Sequence, residues 1–445
     1  AGLRPLVVER GASVDERVEI AEAFNAGAPL DTRTNIQFGE GGAGTFSDGK
    51  LNTGIKSPHI RHVLEAFVEA GAPEDILVDA KPHIGTDLLV GVVRNLRRAI
   101  EEAGGEVRFL TRLDGLVLEG GAADRPSVAD AVDEVGGEDG EARVTAVRLV
   151  DERTGVAEVF ATDCVVLACG HSARDTFQMV CEAGADMARK PFAVGVRIEH
   201  PQALVNEAQY GPAAGHAALG AADYKLAVKT DDGRGVYSFC MCPGGEVVAA
   251  ASEAERVVTN GMSEFARDKE NINGGLLVNV TPEDYGGAED PLAGIAFQRK
   301  LESAAYALGG GDYRAPAQRV GDFLAGRPSV GPGRVHPSYR PGVTWTDLRR
   351  CLPPFVADTI AGALPLLGQK LRGYDDPDAV LTAVESRSSS PVRIPRDGTC
   401  QSSLRGLYPC GEGAGYAGGI LSAAADGMHC AEQLCQSIQK ESDCL

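Results

Sequence analysis

The residues from Gly406 to Met428 combine a short apolar strand, a glycine-rich turn and the start of a long helix. Five glycines fall between residues 411 and 419, and apolar residues then recur at helical spacing. Glycines at such a turn let a ligand approach the backbone, and free N–H groups at a helix start favour phosphate or another electron-rich group. Without a ligand, the same pattern is a tight turn and a packed helix. The candidate binding residues are Gly411, Glu412, Gly418, Gly419 and Ile420.

The first strand of the chain ends in Glu9, Arg10 and Gly11. In a dinucleotide-binding fold, the second strand ends in an acid that binds the adenosine ribose hydroxyls. A Gly-x-Gly-x-x-Gly turn is expected about 20 residues before that acid, but only eight residues precede Glu9. We therefore expect Glu9 and Arg10 to bind a nucleotide in a chain truncated before the first dinucleotide-binding strand. The alternative is an ordinary edge strand.

A third segment, from Gly39 to Gly54, is rich in glycine and small hydroxyl residues. The backbone N–H groups and side-chain donors of such a loop can surround a large cofactor. The alternative is an ordinary surface loop. The candidate binding residues in this segment are Gly42, Gly44, Thr45, Ser47, Asp48, Gly49 and Lys50.

A continuous apolar run from Cys164 ends at Gly170, which is typical of a buried parallel strand. Gly170, at the end of that strand, is a further candidate binding residue. Ser172, with Asp175 three residues later, matches a variant capping box. This spacing favours a structural role for Ser172 over a catalytic one.

Long segments spread in order over nearly the whole chain resemble the family of FAD-dependent dehydrogenases of uncharacterised substrate. More distantly, they resemble the glutathione-reductase type of FAD fold. Among them are NIQFGEGGAGTFSDGKLNTGIKSP from Asn35, KPHIGTD from Lys81, YSFCMCPGGEVVAAASE from Tyr237 and ESRSSSPVRIPR from Glu385. The resemblance implies non-covalently bound FAD in an extended pose, with backbone groups near Leu113 passing the adenine.

The expected fold class is α/β, with a Rossmann-like FAD-binding domain built on a parallel sheet and interrupted by an inserted α+β substrate domain. Residues 1–190 are expected to form the first part of the FAD-binding domain, lacking strand 1 and its glycine-rich turn. The pattern of strands and helices changes from residue 191 to residue 381, which indicates the substrate domain. Residues 382–445 are expected to complete the FAD-binding domain.

Few side chains are candidates for catalysis, because the flavin ring itself carries hydride chemistry. His83 and His171 could each move a proton, although a histidine bonded to backbone is the favoured interpretation of each. Arg387, in a run rich in hydroxyl groups, could bind a carboxylate or the negative charge of a reduced flavin; the alternative is an ion-paired arginine. Cys240 and Cys242 are one residue short of the redox Cys-x-x-Cys spacing. No cysteine or histidine pair has the spacing of metal ligands, so no metal site is expected.

Composition and charge narrow the possible binding partners and the possible cellular compartment. The net charge of −20 argues against nucleic acid or an anionic membrane as the main partner. Eight acidic residues and one arginine fall in residues 119–141, which indicates a surface insertion. Apolar segments around residues 116–118 and 144–149 predict two strands that flank this insertion as a small hairpin. No apolar run is long enough to span a bilayer. The 11 cysteines form no disulfide framework, so a reducing compartment, the cytoplasm or an organelle stroma or matrix, is expected.

Two classes of function follow. The first is an FAD-dependent oxidoreductase that acts on a small organic or isoprenoid-like substrate, with O₂, a quinone or NAD(P)H as the other redox partner. The second is a flavin-binding protein with a non-redox or regulatory role. A tRNA-modifying flavoprotein shares this fold type, but the chain lacks the basic patches that RNA would require.

Overall fold

The computed structural model describes residues 2–120, 141–231 and 233–443, and it has parallel and antiparallel strand pairs together with helices. The α/β fold class is confirmed. Most of the acidic segment at 119–141 lies outside the described residues. Among the described residues, no helix combines the length and the apolar character needed to cross a bilayer.

The helices and strands have the following bounds. The α-helices are α1 (Val14–Asn25), α2 (His59–Glu69), α3 (Thr86–Glu102), α4 (Arg174–Glu182), α5 (Gln202–Tyr210), α6 (Pro282–Tyr285), α7 (Ala293–Gly309), α8 (Val320–Leu324), α9 (Pro354–Lys370) and α10 (Ile420–Asp443). The strands are β1 (Leu6–Val8), β2 (Glu106–Arg108), β3 (Thr111–Glu119), β4 (Arg143–Asp151), β5 (Ala157–Ala161), β6 (Val165–Leu167), β7 (Ala188–Arg189), β8 (Phe192–Pro201), β9 (Ala227–Lys229), β10 (Gly235–Cys242), β11 (Glu246–Ala249), β12 (Thr259–Met262), β13 (Asn271–Val280), β14 (Ala315–Arg319), β15 (Val343–Trp345), β16 (Val380–Glu385), β17 (Val392–Arg393) and β18 (Leu407–Pro409).

Two short parallel pairs carry the predicted nucleotide-binding segments. Strand β1 pairs with β2, and β6 pairs with β18 in the register Leu407↔Val165. Parallel strands end at the same edge, so the residues after β6 and β18 lie side by side. Helix α3 connects this region to a small apolar cluster in which Leu89 and Val92 pack with Leu421 of α10.

An antiparallel sheet in the order β3-β4-β5 adjoins the first parallel pair. Strands β3 and β4 flank the acidic segment as predicted, with Thr111 opposite Asp151 and Glu119 opposite Arg143. Strand β3 is an edge strand of this sheet. One row of its backbone groups therefore faces away from β4.

The largest sheet has seven strands in the order β15-β14-β16-β8-β13-β10-β9. Six of these strands lie within residues 227–385, and β8 precedes them in the chain. Its central strand β8 is buried on both faces, with Val194, Val196 and Ile198 in the main core. Helix α9 packs its buried face, including Ile360 and Leu364, into the same core.

A buried ion cluster joins the region of the parallel pairs to the seven-stranded sheet. Glu302 of α7 is completely buried and accepts hydrogen bonds from Arg174 Nη2 of α4 at 2.7 Å and from Arg387 Nη2, after β16, at 2.9 Å. Burial raises the pKa of Glu302, but the two guanidinium groups outweigh it and hold the pKa below its usual range. The cluster therefore fixes α4 against α7.

The predicted capping box at Ser172 is wrong. Helix α4 begins at Arg174, and its N-cap position is Ala173, without a side-chain cap. Ser172 Oγ instead donates to Gln37 Oε1 at 3.2 Å, because a buried hydroxyl needs a hydrogen-bond partner and Gln37 supplies one.

The loop after α1 is held by one buried arginine. Arg17 donates from Nε to the Asn35 carbonyl oxygen at 2.8 Å, from Nη1 to that of Glu40 at 2.7 Å and from Nη2 to that of Ile36 at 2.8 Å. Its guanidinium also lies over the Phe46 ring. Burial lowers the pKa of Arg17 to about 10 while Glu9 and Glu40 oppose it, so the side chain stays charged.

We expect Arg17→Met to lower the free energy of unfolding by about 3 kcal/mol or more, because each buried carbonyl left unpaired costs about 1–3 kcal/mol. Urea unfolding measures the loss, and limited proteolysis should cut within residues 35–50. Arg98→Met, at an exposed position on α3, is the matched control. Equal midpoints for the two variants would contradict this role for Arg17.

Candidate functional site

The ends of β6 and β18 form the floor of the candidate site. A Cβ atom added to Gly413 would clash with the Gly170 carbonyl oxygen, so the two turns touch through their backbones. Gly170 and Gly411 have φ of 67° and 72°, a region that disfavours other residues. These glycines allow the two predicted turns to lie in direct contact.

The end of β1 meets the predicted loop. The N–H groups of Gly11 and Gly39 both donate to Glu9 Oε1, at 2.7 and 3.1 Å. Both bonds end on Oε1, so Oε2 is the oxygen that a ligand hydroxyl would use. Arg10, the other predicted residue here, pairs with Asp175 of α4 at 2.5 Å.

The N-terminus of α10 lies against the same loop. A Cβ atom added to Gly44 would lie 3.5 Å from Ile420 Cγ1. Gly418 and Gly419 are exposed, and a Cβ atom at Gly418 would meet no atom within 4 Å. The first N–H groups of a helix lack intrahelical partners and carry partial positive charge. Open space therefore lies in front of an electropositive helix end.

Among the described residues, the buried polar atoms of this region that lack a hydrogen-bond partner include two uncharged side-chain atoms. Thr45 Oγ1 is one, although Thr45 is only 1% exposed, and Gln37 Nε2 is the other. Buried polar groups are nearly always hydrogen-bonded. Gly42 adds further space, because a Cβ atom there would meet nothing within 4 Å. These features fit a large ligand with hydrogen-bonding edges, such as FAD.

Asp48 and Ser47 shape the loop from within. Asp48 is buried and accepts from Arg267 Nε at 2.8 Å, with Lys50 Nζ 3.2 Å away. Burial raises the pKa of Asp48, but Lys50 and Arg267 outweigh it, so the pKa is lowered. Ser47 Oγ donates to the Gly44 carbonyl oxygen at 2.6 Å and accepts from Gly49 N at 3.0 Å.

His83, a predicted catalytic residue, lies at the back of this loop. Its Nε2 is 3.1 Å from the Phe265 carbonyl oxygen, and its ring stacks on Phe265. Burial and then the charge of Arg267 lower the pKa of His83. A neutral, backbone-bonded ring results.

His171, the second predicted catalytic histidine, belongs to a polar chain at the end of β6. Its Nδ1 is 2.9 Å from Ser172 Oγ, which bonds to Gln37, and its Nε2 is 3.8 Å from Glu412 Oε1. Burial, with Arg387 and Arg174, lowers the pKa of His171 to about 3. Burial and the nearby Cys240 raise the pKa of Glu412 to about 7. The pair can therefore hold a proton on Glu412 near neutral pH.

The remaining predicted residues lie around this centre. Arg387 is buried, and its Nε, Nη1 and Nη2 bond to Glu302 or Ser252, so it acts on the site through its charge. Leu113 lies on the edge strand β3, two residues after Thr111, whose N–H donates to the Glu9 carbonyl oxygen.

The structure adds residues that the sequence analysis did not single out. Gln37 joins the polar chain, and Glu385 of β16 pairs with Arg197 of β8 at 2.5 Å. Lys190 is close enough to Glu412 for each to perturb the pKa of the other. These residues are far apart in sequence, so no local pattern marks them.

One group of metal-ligand type lies away from this site. His59 of α2 and His429 and Glu432 of α10 offer ligand atoms within 4.8 Å of one another. We expect no metal from the sequence, because no Cys-x₂-Cys pair or histidine pair at ligand spacing appears in it. They come together only where α2 contacts α10.

We expect Glu412→Gln to remove a pH-dependent contribution to stability. Because the folded-state pKa of Glu412 is raised from 4.5 to about 7, its contribution is present below pH 4.5 and is lost as the pH rises through 7. The wild type should lose on the order of 1–3 kcal/mol more than the variant over this range. The side chain is 29% exposed, so solvent screening favours the lower value.

Urea unfolding of the ligand-free chain at a series of pH values measures the difference between the two proteins. Glu207→Gln, at an exposed position on α5, is the control and should follow the wild type. Parallel pH profiles for wild type and Glu412→Gln would contradict the raised pKa.

Comparison with known proteins identifies relatives of this chain. Residues 191–388 match the family described as FAD-dependent protein, C-terminal domain-like. An uncharacterized protein of Clostridium beijerinckii is 46% identical over 439 residues, which cover 98% of this chain and 77% of the relative.

Two solved structures have lower similarity. E. coli quinol fumarate reductase FrdA is 12% identical with a TM-score of 0.37, over 97% of this chain and 69% of that one. A Bacillus halodurans glycerol-3-phosphate dehydrogenase complexed with FAD is 11% identical with a TM-score of 0.36, over 98% and 65%. Scores this low carry no argument about the chemistry of this chain. The chain belongs to the protein family of the C. beijerinckii relative, and its residues 191–388 match the model described as FAD-dependent protein, C-terminal domain-like.

Proposed function

We propose that this chain is an FAD-dependent oxidoreductase that transfers a hydride between the flavin and a small organic substrate. One observation carries the proposal: three glycine-bearing segments, at Glu9–Gly11, at 39–50 and at 411–419, converge around buried polar atoms that lack partners. The match of residues 191–388 to FAD-dependent proteins supports the choice of cofactor.

The chain offers a group for each part of an extended FAD. Glu9 Oε2 would accept from the adenosine ribose, and the free edge of β3 near Leu113 would face the adenine. The N-terminus of α10, at Gly418 and Gly419, would face the pyrophosphate or the flavin ring. Thr45 Oγ1 would bond to the cofactor. The negative charge of a carboxylate favours a hydrogen bond from a ribose hydroxyl. The partial positive charge of a helix N-terminus favours an anion such as the pyrophosphate.

The protein residues would position the substrate and handle the proton. When bound, FAD supplies the hydride chemistry. Glu412, with the neutral His171 beside it, holds one proton near neutral pH and can give or take it at Oε1. Lys50 places positive charge at the loop. Residues 191–381 would form the substrate domain, and NAD(P)H is the proposed electron donor.

The test is to load the purified chain with FAD, remove free cofactor and add NADH or NADPH without oxygen. We expect FAD to stay with the chain and its absorbance to bleach with one of the two donors. If FAD binds but stays oxidised with these donors and with dehydrogenase substrates, a non-redox flavin-binding role replaces this proposal. If calorimetry shows no FAD binding, the assignment of the site is wrong.

We expect Gly419→Val to exclude FAD without unfolding the protein. The branched side chain would fill the space before α10, while the nearest protein atom to the new Cβ, Ser422 Oγ, is 4.0 Å away. Flavin content and the thermal midpoint of the ligand-free chain measure the two effects. Gly427→Val, in open space further along α10, is the matched control and should keep its flavin. Full flavin content in Gly419→Val would show that the cofactor lies elsewhere.

A further inference from the structure

Two cysteines lie at an irregularity of β10 that faces the candidate site. Strand β10 follows a regular antiparallel register with β13 up to Phe239, and the register shifts before Cys242. At Cys240 the backbone has φ of 40°, a left-handed conformation that is uncommon for this residue type. Such strain persists only where surrounding contacts enforce it, and it is concentrated at functional sites.

The two cysteines are close in space at this irregularity. In a regular strand, residues i and i+2 have Cα atoms about 6.6 Å apart, near the upper limit for a disulfide, about 6.8 Å. The register shift between Phe239 and Cys242 departs from this regular spacing. Cys242 Sγ lies 3.3 Å from the Cys240 carbonyl oxygen, so the Cys242 thiol lies close to the backbone of Cys240. Cys242 is buried and Cys240 is half-buried, so Cys240 is the accessible member of the pair.

A single buried arginine enforces this geometry. Arg197 is completely buried and donates from Nη1 to the Cys240 carbonyl oxygen at 2.8 Å and to Asn273 Oδ1 at 3.1 Å. Its Nη2 donates to Asn260 Oδ1 at 2.6 Å, and its Nε pairs with Glu385. Groups from five strands, β8, β10, β12, β13 and β16, therefore meet at the Arg197 guanidinium, which holds the Cys240 carbonyl oxygen.

The charges around Cys240 favour its thiolate. The hydrogen bond from Cys242, together with Arg197 and Lys50, lowers the pKa of Cys240 to about 5, against burial and Asp48. Each other described cysteine with a shifted pKa, including Cys242, is raised. Cys240 therefore has the character of an attacking thiolate, and Cys242 that of the thiol that completes a disulfide.

The pair adjoins the two segments assigned to the flavin. The charge of Cys240 perturbs the pKa of Glu412 in the glycine-rich turn, and Lys50 of the 39–50 loop perturbs that of Cys240. Pro243, which follows Cys242, accepts from Ser263 Oγ at 2.8 Å, and Arg267, four residues after Ser263, donates to Asp48 of the loop at 2.8 Å, so the end of β10 lies near the 39–50 loop.

We propose that Cys240 and Cys242 are a redox-active dithiol that exchanges two electrons with the bound flavin. The inference rests on the proposed FAD-dependent function. Cys240 as thiolate and Cys242 as thiol lose two electrons and one proton as their S–S bond forms, and oxidised flavin takes up the two electrons and the proton. In the reverse direction, reduced flavin returns both electrons and the proton, and the S–S bond breaks.

The first measurement needs no cofactor. The ligand-free chain is equilibrated in glutathione buffers of increasing oxidation, alkylated with iodoacetamide and analysed by peptide mass spectrometry. We expect Cys240 and Cys242 to lose alkylation together, in one two-electron transition, and their peptide to lose two hydrogens, while Cys181 of α4 stays alkylated. Continued alkylation of both residues in the most oxidising buffer, or glutathione adducts without the internal disulfide, would overturn the proposal.

The second measurement tests exchange with the flavin. The chain in its disulfide form is loaded with FAD, and the flavin is photoreduced without oxygen. We expect the flavin spectrum to return to the oxidised form as two thiols per chain appear. Cys240→Ser and Cys242→Ser should each bind FAD equally well and leave the flavin reduced, while Cys181→Ser should behave as the wild type.

The outcomes separate the two proposals. FAD bound by all four proteins, with no electron transfer to the disulfide in the wild type, would overturn the dithiol and leave the oxidoreductase proposal standing. Absence of FAD binding in the wild type would overturn the proposed function, and the glutathione titration would still show whether the pair forms a redox couple.

Discussion

The structure depends on one buried carboxylate. Glu302 lies out of contact with water, and two arginines from different parts of the chain reach it: Arg174 beside the parallel pairs, and Arg387 at the end of the large sheet. Removing a charge from water costs several kcal/mol unless partners surround it. The chain therefore satisfies Glu302 only when α4, α7 and the segment after β16 meet. That meeting point lies three residues from His171, so the same contact positions the polar chain of the candidate site.

A second buried ion pair, Arg197 with Glu385, joins β8 and β16 of the seven-stranded sheet. Small residues make room for it, since a Cβ atom on Gly261 would approach Arg197 Nη1 to 2.8 Å and one on Gly275 would approach Glu385 to 3.1 Å. With its donors bound to side chains and to the Cys240 carbonyl oxygen, Arg197 holds a strained residue of β10 in place. The two ion clusters thus fix two separate parts of the chain, one beside His171 and the other at Cys240.

Several features were predictable from local sequence. The strand and turn before α10, the hairpin around the acidic segment and the parallel strand that ends before Gly170 follow from apolar runs and glycines, which act over a few residues. Local patterns misassigned Ser172, because its hydroxyl bonds to Gln37 rather than to its own helix. The roles predicted for Glu9, the 39–50 loop and Gly419 stay predictions, although the structure brings these segments together.

The sequence by itself determined the α/β class, the glycine-bearing turns and the family resemblance, because each depends on spacing along the chain. Only the tertiary structure decided which charges meet. The pairing of Glu302 with Arg174 and Arg387, the raised pKa of Glu412 and the hydrogen bond from Arg197 to the Cys240 carbonyl oxygen depend on burial and on residues remote in sequence. Electrostatic energies vary with distance and with exclusion of water, and neither quantity is encoded in a local pattern.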